Sequence, residues 1–158
     1  MNRRSQRSPF ESYDFNTTAF LHRTLEHLAH SARRNLTELA KLINRLFEYH
    51  SRLLVVRIDL GYKNEVTADV PLEVAQRHRE ELLSDRWRYP EVFGHMVAYA
   101  WGFEHSSEHQ RGYHYHLLAI YDGAHRRDDI GLGMAIGGRW SDITNGYGHC
   151  YVSNFDKE

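Results

Sequence analysis

Apolar side chains fall into two rhythms along this chain. Leu21, Leu25, Leu28, Ala32, Leu39, Ile43 and Leu46 recur at steps of three and four, the spacing of one helix face. Asn35 followed by Glu38 resembles a helix-start signal. The stretch is therefore expected as two helices, about 17–32 and 35–50, with one long helix as the alternative. The next segment, LLVVRIDL from Leu53 to Leu60, is short and β-branched and predicts a strand. Its nearly continuous apolar character predicts a central place, covered on both faces. Side chains alternate along a strand, so Arg57 and Asp59 share one face.

Pro71 suits the first turn of a helix, which Leu72, Ala75, Leu82 and Leu83 carry to about Asp85. Pro90 ends any continuation. Val92–His105 predicts a second strand, SSEHQRG a polar turn, and Tyr113–Tyr121 a third strand, so these two strands form an antiparallel hairpin. Residues 127–141 predict a helix with Ile130, Met134 and Trp140 inward, although four glycines (Gly131, Gly133, Gly137, Gly138) weigh against it. Gly148–Phe155 predicts the last strand. The order is an α+β one: two N-terminal helices, then strand, helix, strand, strand, helix, strand. That is the ferredoxin-like βαββαβ arrangement, an antiparallel sheet with helices on one face and the other face free for a site. The expected organisation is a flexible arm over 1–16, a helical segment over 17–50 and a core over 51–158.

Composition narrows the classes. A chain of 158 residues with 41% hydrophobic and 26% charged residues fits one globular domain. No apolar run approaches the roughly 20 residues that span a bilayer, and the N-terminus lacks the apolar stretch of a secretory signal. A single cysteine, Cys150, excludes an intrachain disulfide and a cysteine zinc cage. The expected compartment is the cytoplasm, with no membrane partner. A net charge of −1 excludes a globally basic coat but leaves room for a local basic site. Twelve histidines and ten tyrosines stand out.

The chemistry concentrates in Glu104–Asp122. His114 and His116 are two apart in a strand, so their side chains share a face with Cα atoms about 6.5 Å apart. Two imidazoles at that spacing can share one metal ion. Glu104, across the hairpin, is placed to add an oxygen, with His105 or His109 as replacements if the pairing slips. Gly102, Ala100 and Ala98 on the same face are small and leave room above the sheet. Two imidazoles and one carboxylate with open positions suit Mg²⁺ or Mn²⁺. The bland reading of a His-x-His pair is two polar residues on a solvated face; the facing carboxylate, the small neighbours and the apolar run after His116 favour the metal.

The segment GYHYHLLAI from Gly112 to Ile120 resembles the His-hydrophobe-His motif of HUH endonucleases, the rolling-circle replication initiator superfamily. Glu104 before the Arg111-Gly112 turn is similar to that superfamily's carboxylate. LLVVRIDLGYK at 53–63 and RWSDITNGYGHCYVSN at 139–154 resemble the inovirus-type replication proteins, including the YagK/YfjJ C-terminal domain family. The resemblance implies a metal-dependent single-stranded DNA nicking domain of a phage or prophage initiator, acting at a replication origin with a host helicase as a further partner. It implies metal ligation by His114, His116 and Glu104, and attack by a tyrosine on the scissile phosphate. It makes Arg57, Lys63, Arg111 and Arg139 candidates to touch phosphates, each alternatively a solvated or salt-bridged side chain. Asp59 is either a carboxylate that orients a ligand or an ion-pair partner. In Rep-type members the nucleophile lies on a helix after the last strand, and this sequence stops at Glu158, where that helix is expected to begin. Tyr151 and Tyr147 in the last strand and turn, and Tyr49 and Tyr13 in a permuted order, are the remaining candidates. The alternative from a different class is a nuclease-inactive DNA-binding or regulatory module on the same fold; a structural zinc protein is more distant.

Overall fold

The computed structural model describes residues 13–16, 25–106 and 112–156. Five strands form one sheet: β1 (Tyr13–Asn16), β2 (Leu53–Tyr62), β3 (Met96–Ser106), β4 (Gly112–Asp122) and β5 (Gly148–Val152). Their spatial order is β1-β3-β4-β2-β5. The three pairings among β2 to β5 are antiparallel, and β1 adds a short parallel strand beside β3. The helices are α1 (Leu25–Phe47), α2 (Leu72–Ser84), the single turn α3 (Pro90–Phe93) and α4 (Asp129–Ile143). The molecule is thus α+β, as the patterning predicts.

Alternation along β2, β3 and β4 sorts the sheet into two unlike faces. One face carries Val56, Ile58, Leu60, Trp101, Tyr115 and Leu117, all buried. α2 and α4 cover it through Ala75, Leu82, Leu132, Ile136 and Trp140, which belong to the same core cluster. Trp140 is fully buried, and its indole Nε1 donates to the carbonyl of Gly61 at 2.7 Å. That bond ties the helical layer to the end of β2, where the opposite face carries polar side chains. Burying each large side chain contributes about 1.5–3 kcal/mol, so this layer is what holds the sheet.

The four glycines of α4 do not break it. Asp128 caps its first turn, its Oδ1 accepting from Gly131 N at 2.8 Å. Gly133 is needed for close approach: a Cβ there would lie 2.6 Å from Val152 Cγ1, so only glycine lets β5 sit against the helix.

Several expectations are corrected. The N-terminal helical segment is one helix from residue 25 to 47, with residues 17–24 outside the described part. Asn35 and Glu38 start nothing, because Glu38 Oε1 accepts from Lys41 Nζ at 2.7 Å and no glycine or proline interrupts the run. Residues 13–16 form a strand where a loose arm is expected. The strand expected from Val92 begins at Met96: Pro90 starts a helical turn that buries Val92 and Phe93, and His95 then takes a left-handed φ of 65° before the strand starts. The last strand ends at Val152, and Ser153–Asp156 turns into a 3-10 helix.

The second face is not wholly free. Leu42 of α1 packs on Ala98 and Ile120, with Leu39 and Leu46 beside it and Leu53 and Val97 below. These are the positions at one end of the face. At the other end stand the polar side chains.

Candidate metal centre

The polar end of the second face is built from two cross-strand rows. In the first, Glu104 on β3 is opposite His114 on β4. Gly61 of β2 lies alongside, where a Cβ would be 3.6 Å from that of His114, and Gly61 is opposite His149 of β5. In the second row, Gly102 is opposite His116, His116 opposite Asp59, and Asp59 opposite Tyr151. A glycine in each row keeps the floor low. The side chains around it enclose a cavity of about 720 Å³ lined by Asp59, Lys63, Glu104, His114, His116, His149 and Tyr151 among others.

The turn that presents the histidines is set by its backbone. Gly112 has a φ of +57°, and a Cβ there would lie 2.7 Å from the carbonyl oxygen of Thr67. Its own carbonyl accepts from Nδ1 of His114 at 3.2 Å. That contact turns the other nitrogen of His114, Nε2, toward Glu104, at 3.5 Å from Oε2. The same Oε2 lies 3.0 Å from Nε2 of His116, whose Nδ1 is held by Asp59 Oδ1 at 2.7 Å. Glu104, His114 and His116 each offer a ligand atom, all within 4.8 Å of one another. The imidazoles are partly buried and the Glu104 carboxylate lies at the open rim.

Burial by itself pulls the pKa of His116 down. Hydrogen bonds and the charges of Asp59 and Glu104 outweigh it and raise the pKa above the ordinary histidine value. The two carboxylates that face its ring thus favour the protonated form of His116. The donor set fits a small divalent ion: two imidazoles with defined tautomers, each fixed by an oxygen behind it, and one carboxylate.

The structure brings together most of the residues singled out from the sequence. His114, His116 and Glu104 converge, Asp59 stands behind His116, and Arg57 Nε lies 3.7 Å from Asp59 Oδ1. Lys63 and Tyr151 line the cavity. Tyr147 lies outside the lining, exposed in the turn before β5, and its carbonyl accepts from Lys63 N at 2.9 Å. Tyr49 follows α1 at the opposite end of β2, eight or more residues along the strand from Gly61. Tyr13 is in register with Ala100; its side chain, like Arg111 and His109, lies outside the described residues. His105 does not replace Glu104, since its ring packs on Tyr113 and points to the other face. Arg139 is corrected as a site residue: it lies on α4 behind the sheet, over the Tyr89 ring at 3.8 Å and bonded to Asp142 at 2.8 Å.

His149 is the site residue that sequence reasoning missed. Its signal is the alternation in GHCYV, which puts His149 and Tyr151 on one face; what was missing is the pairing of β5 with β2 that turns this face toward the cluster. A family model described as the YagK/YfjJ C-terminal domain matches residues 15–147. No curated protein sequence and no solved structure matches the chain.

Proposed function

The chain belongs to the YagK/YfjJ C-terminal domain family, and from that membership and the histidine–carboxylate cluster we propose that it is a metal-dependent, HUH-type nicking domain for single-stranded DNA. The observation that carries this reading is the convergence of Glu104, His114 and His116 within 4.8 Å on an uncovered part of the sheet. The element order and the strand order β3-β4-β2-β5 support reading the core as ferredoxin-like. A phage or prophage replication initiator, working in the cytoplasm on a replication origin with a host helicase, is the biological role in which such a domain acts.

Glu104, His114 and His116 would hold Mg²⁺ or Mn²⁺. When bound, such an ion supplies Lewis-acid polarisation of a phosphodiester oxygen. The protein's own side chains do the rest. Asp59 keeps Nε2 of His116 aimed at the cluster, and the Gly112 carbonyl does the same for His114. Lys63 on the cavity wall and Arg57 on the same face offer positive charge to the flanking phosphates. Gly61 and Gly102 leave height for a backbone that has been separated from its complement. The proposed substrate is single-stranded or extruded DNA, as the resemblance implies.

The test is incubation of the chain with an end-labelled single-stranded oligonucleotide and Mn²⁺. Cleavage that is abolished by EDTA and by His114→Ala supports the reading. Binding that is independent of metal, with no cleavage, replaces it with the nuclease-inactive DNA-binding module.

A further inference from the structure

A second surface stands apart from the metal cluster, at the end of the sheet where β2 begins and β4 ends. A shallow groove of about 520 Å³ lies there, with Phe47, Leu53 and Leu54 as its floor and Arg52, Arg126 and Arg127 at its rim. We propose that this groove docks an acidic segment of a partner protein, one apolar side chain resting on the floor and carboxylates meeting the rim. The proposal does not depend on the nicking reading.

The groove is built by one close approach. Gly123 N donates to the Arg52 carbonyl at 2.9 Å, and a Cβ on Gly123 would lie 3.1 Å from that of Arg52. Glycine thus lets the loop after β4 run flush with the start of β2, which brings Arg126 and Arg127 to the groove that Arg52 borders. Leu53 and Leu54 point to opposite faces of the sheet and are each partly buried, Leu53 beside the Leu42 cluster and Leu54 against the main core. Phe47, the last residue of α1, is 55% exposed. A guest that covers the ring and the two leucines removes apolar area from water.

The rim carries positive charge that the fold does not use up. Arg52 and Arg127 are exposed, and among the described residues neither guanidinium has an ion-pair partner. Arg126 is bonded to the neutral carbonyls of Gly94, Pro90 and Glu91, at 3.1, 3.0 and 2.8 Å, so its charge is held in place and not cancelled. Among the described residues no acid lines the groove. The nearby carboxylates are engaged elsewhere: Asp122 with His50, His125 and Ala124 N, and Asp128 with Gly131 N.

An acidic peptide fits this chemistry better than a nucleic-acid strand. Guanidinium groups take carboxylates through paired, charge-assisted hydrogen bonds. Bases stack on aromatic planes, whereas two of the three floor residues are leucines, which suit the apolar anchor of a peptide. The groove also does not continue the rows of the cluster. Leu53 is six residues along β2 from Asp59, about 20 Å, and the contact of Leu42 with Ala98 and Ile120 falls between them.

The experiment uses the 158-residue chain in EDTA, which keeps the cluster out of the readout. The probe is a short fluorescein-labelled peptide of Asp and Glu around a central Leu-Phe pair. Fluorescence anisotropy is expected to show saturable binding that weakens with salt and is absent when Lys replaces the acids. Arg52→Glu combined with Arg127→Glu is expected to weaken binding about tenfold or more, with the thermal midpoint unchanged, and Phe47→Ala to weaken it as well. Amide shifts on binding are expected at 47–54 and 123–127. No saturable binding by the wild-type chain, binding that the double variant keeps, or shifts confined to another surface overturns the proposal. A thymidine oligonucleotide that displaces the peptide, and is itself weakened in the double variant, also overturns it and assigns these arginines to a DNA strand. Cleavage with Mn²⁺ is read separately and stands or falls on the cluster.

Discussion

Asp59 Oδ1 sits 2.7 Å from Nδ1 of His116, and Glu104 Oε2 sits 3.0 Å from the other nitrogen of the same ring. One imidazole is thus held from behind by one carboxylate and faced by a second. The two carboxylates have different work. Asp59 orients the ring, and Glu104, further out and shared with His114, is the one that can close on a cation.

Asp59→Ala leaves His116 free to rotate and removes the acceptor that fixes its tautomer. Loss of such a supporting carboxylate costs metal affinity about 10–100-fold. Calorimetric titration with Mn²⁺ reads this directly, and unchanged affinity would show that Asp59 serves only Arg57.

The raised pKa of His116 makes the metal-free protein sensitive to pH in a defined direction. A proton binds the folded site more tightly than the unfolded chain, whose histidines titrate near about 6.5. The added stability is fully present below that value and is lost as pH rises through the higher folded value. In EDTA, the urea midpoint is expected to fall from pH 5.5 to pH 8, and His116→Ala to flatten that part of the profile. Mn²⁺ affinity runs the other way and strengthens as pH rises, because the ion competes with the same proton.

Gly112→Ala puts a side chain on a residue with φ of +57° and drives it into the Thr67 backbone. The strained conformation alone costs about 1–3 kcal/mol. The turn shifts, the carbonyl that orients His114 moves with it, and both the thermal midpoint and the Mn²⁺ affinity are expected to drop together. A drop in stability with metal binding intact would separate the turn from the site.

Trp140→Phe removes the indole donor and leaves the Gly61 carbonyl without that bond on the core side. An unmade buried hydrogen bond costs about 1–3 kcal/mol, readable by urea denaturation. Since Gly61 lies alongside His114, a smaller loss of Mn²⁺ affinity is expected as well.

Most of the strand and helix sequence was legible because each face repeats its own chemistry. Leu53–Leu60 was legible as a strand, but its apolar run predicts cover on both faces, whereas Val56, Ile58 and Leu60 are buried and Val55 and Arg57 on the other face are exposed. His114 and His116 were legible for the same reason, and Glu104 followed from the hairpin. What escaped were relationships set by contacts distant in sequence. β5 pairs with β2 rather than with its nearer neighbours, so His149 had no visible partner. Arg139 carries a charge that resembles a phosphate contact, but its position three residues before Asp142 and above Tyr89 is fixed by packing of α4. Asn35 and Glu38 show the local limit: the same two residue types serve a helix start or a helix middle, and the neighbours decide.

The placement of α1 has a directional consequence. Leu42 stands on Ala98 and Ile120, a few residues up the strands from the histidines, and acts as a fence across the sheet. Along the strands the surface beside the cluster is interrupted at α1, while the rows of the cluster run across them, from β3 over β4 and β2 to β5. The available track is then three strand spacings, about 14 Å, with His116 near one end and Tyr151 at the other. The lengthwise reach of that surface is therefore set by where one leucine rests.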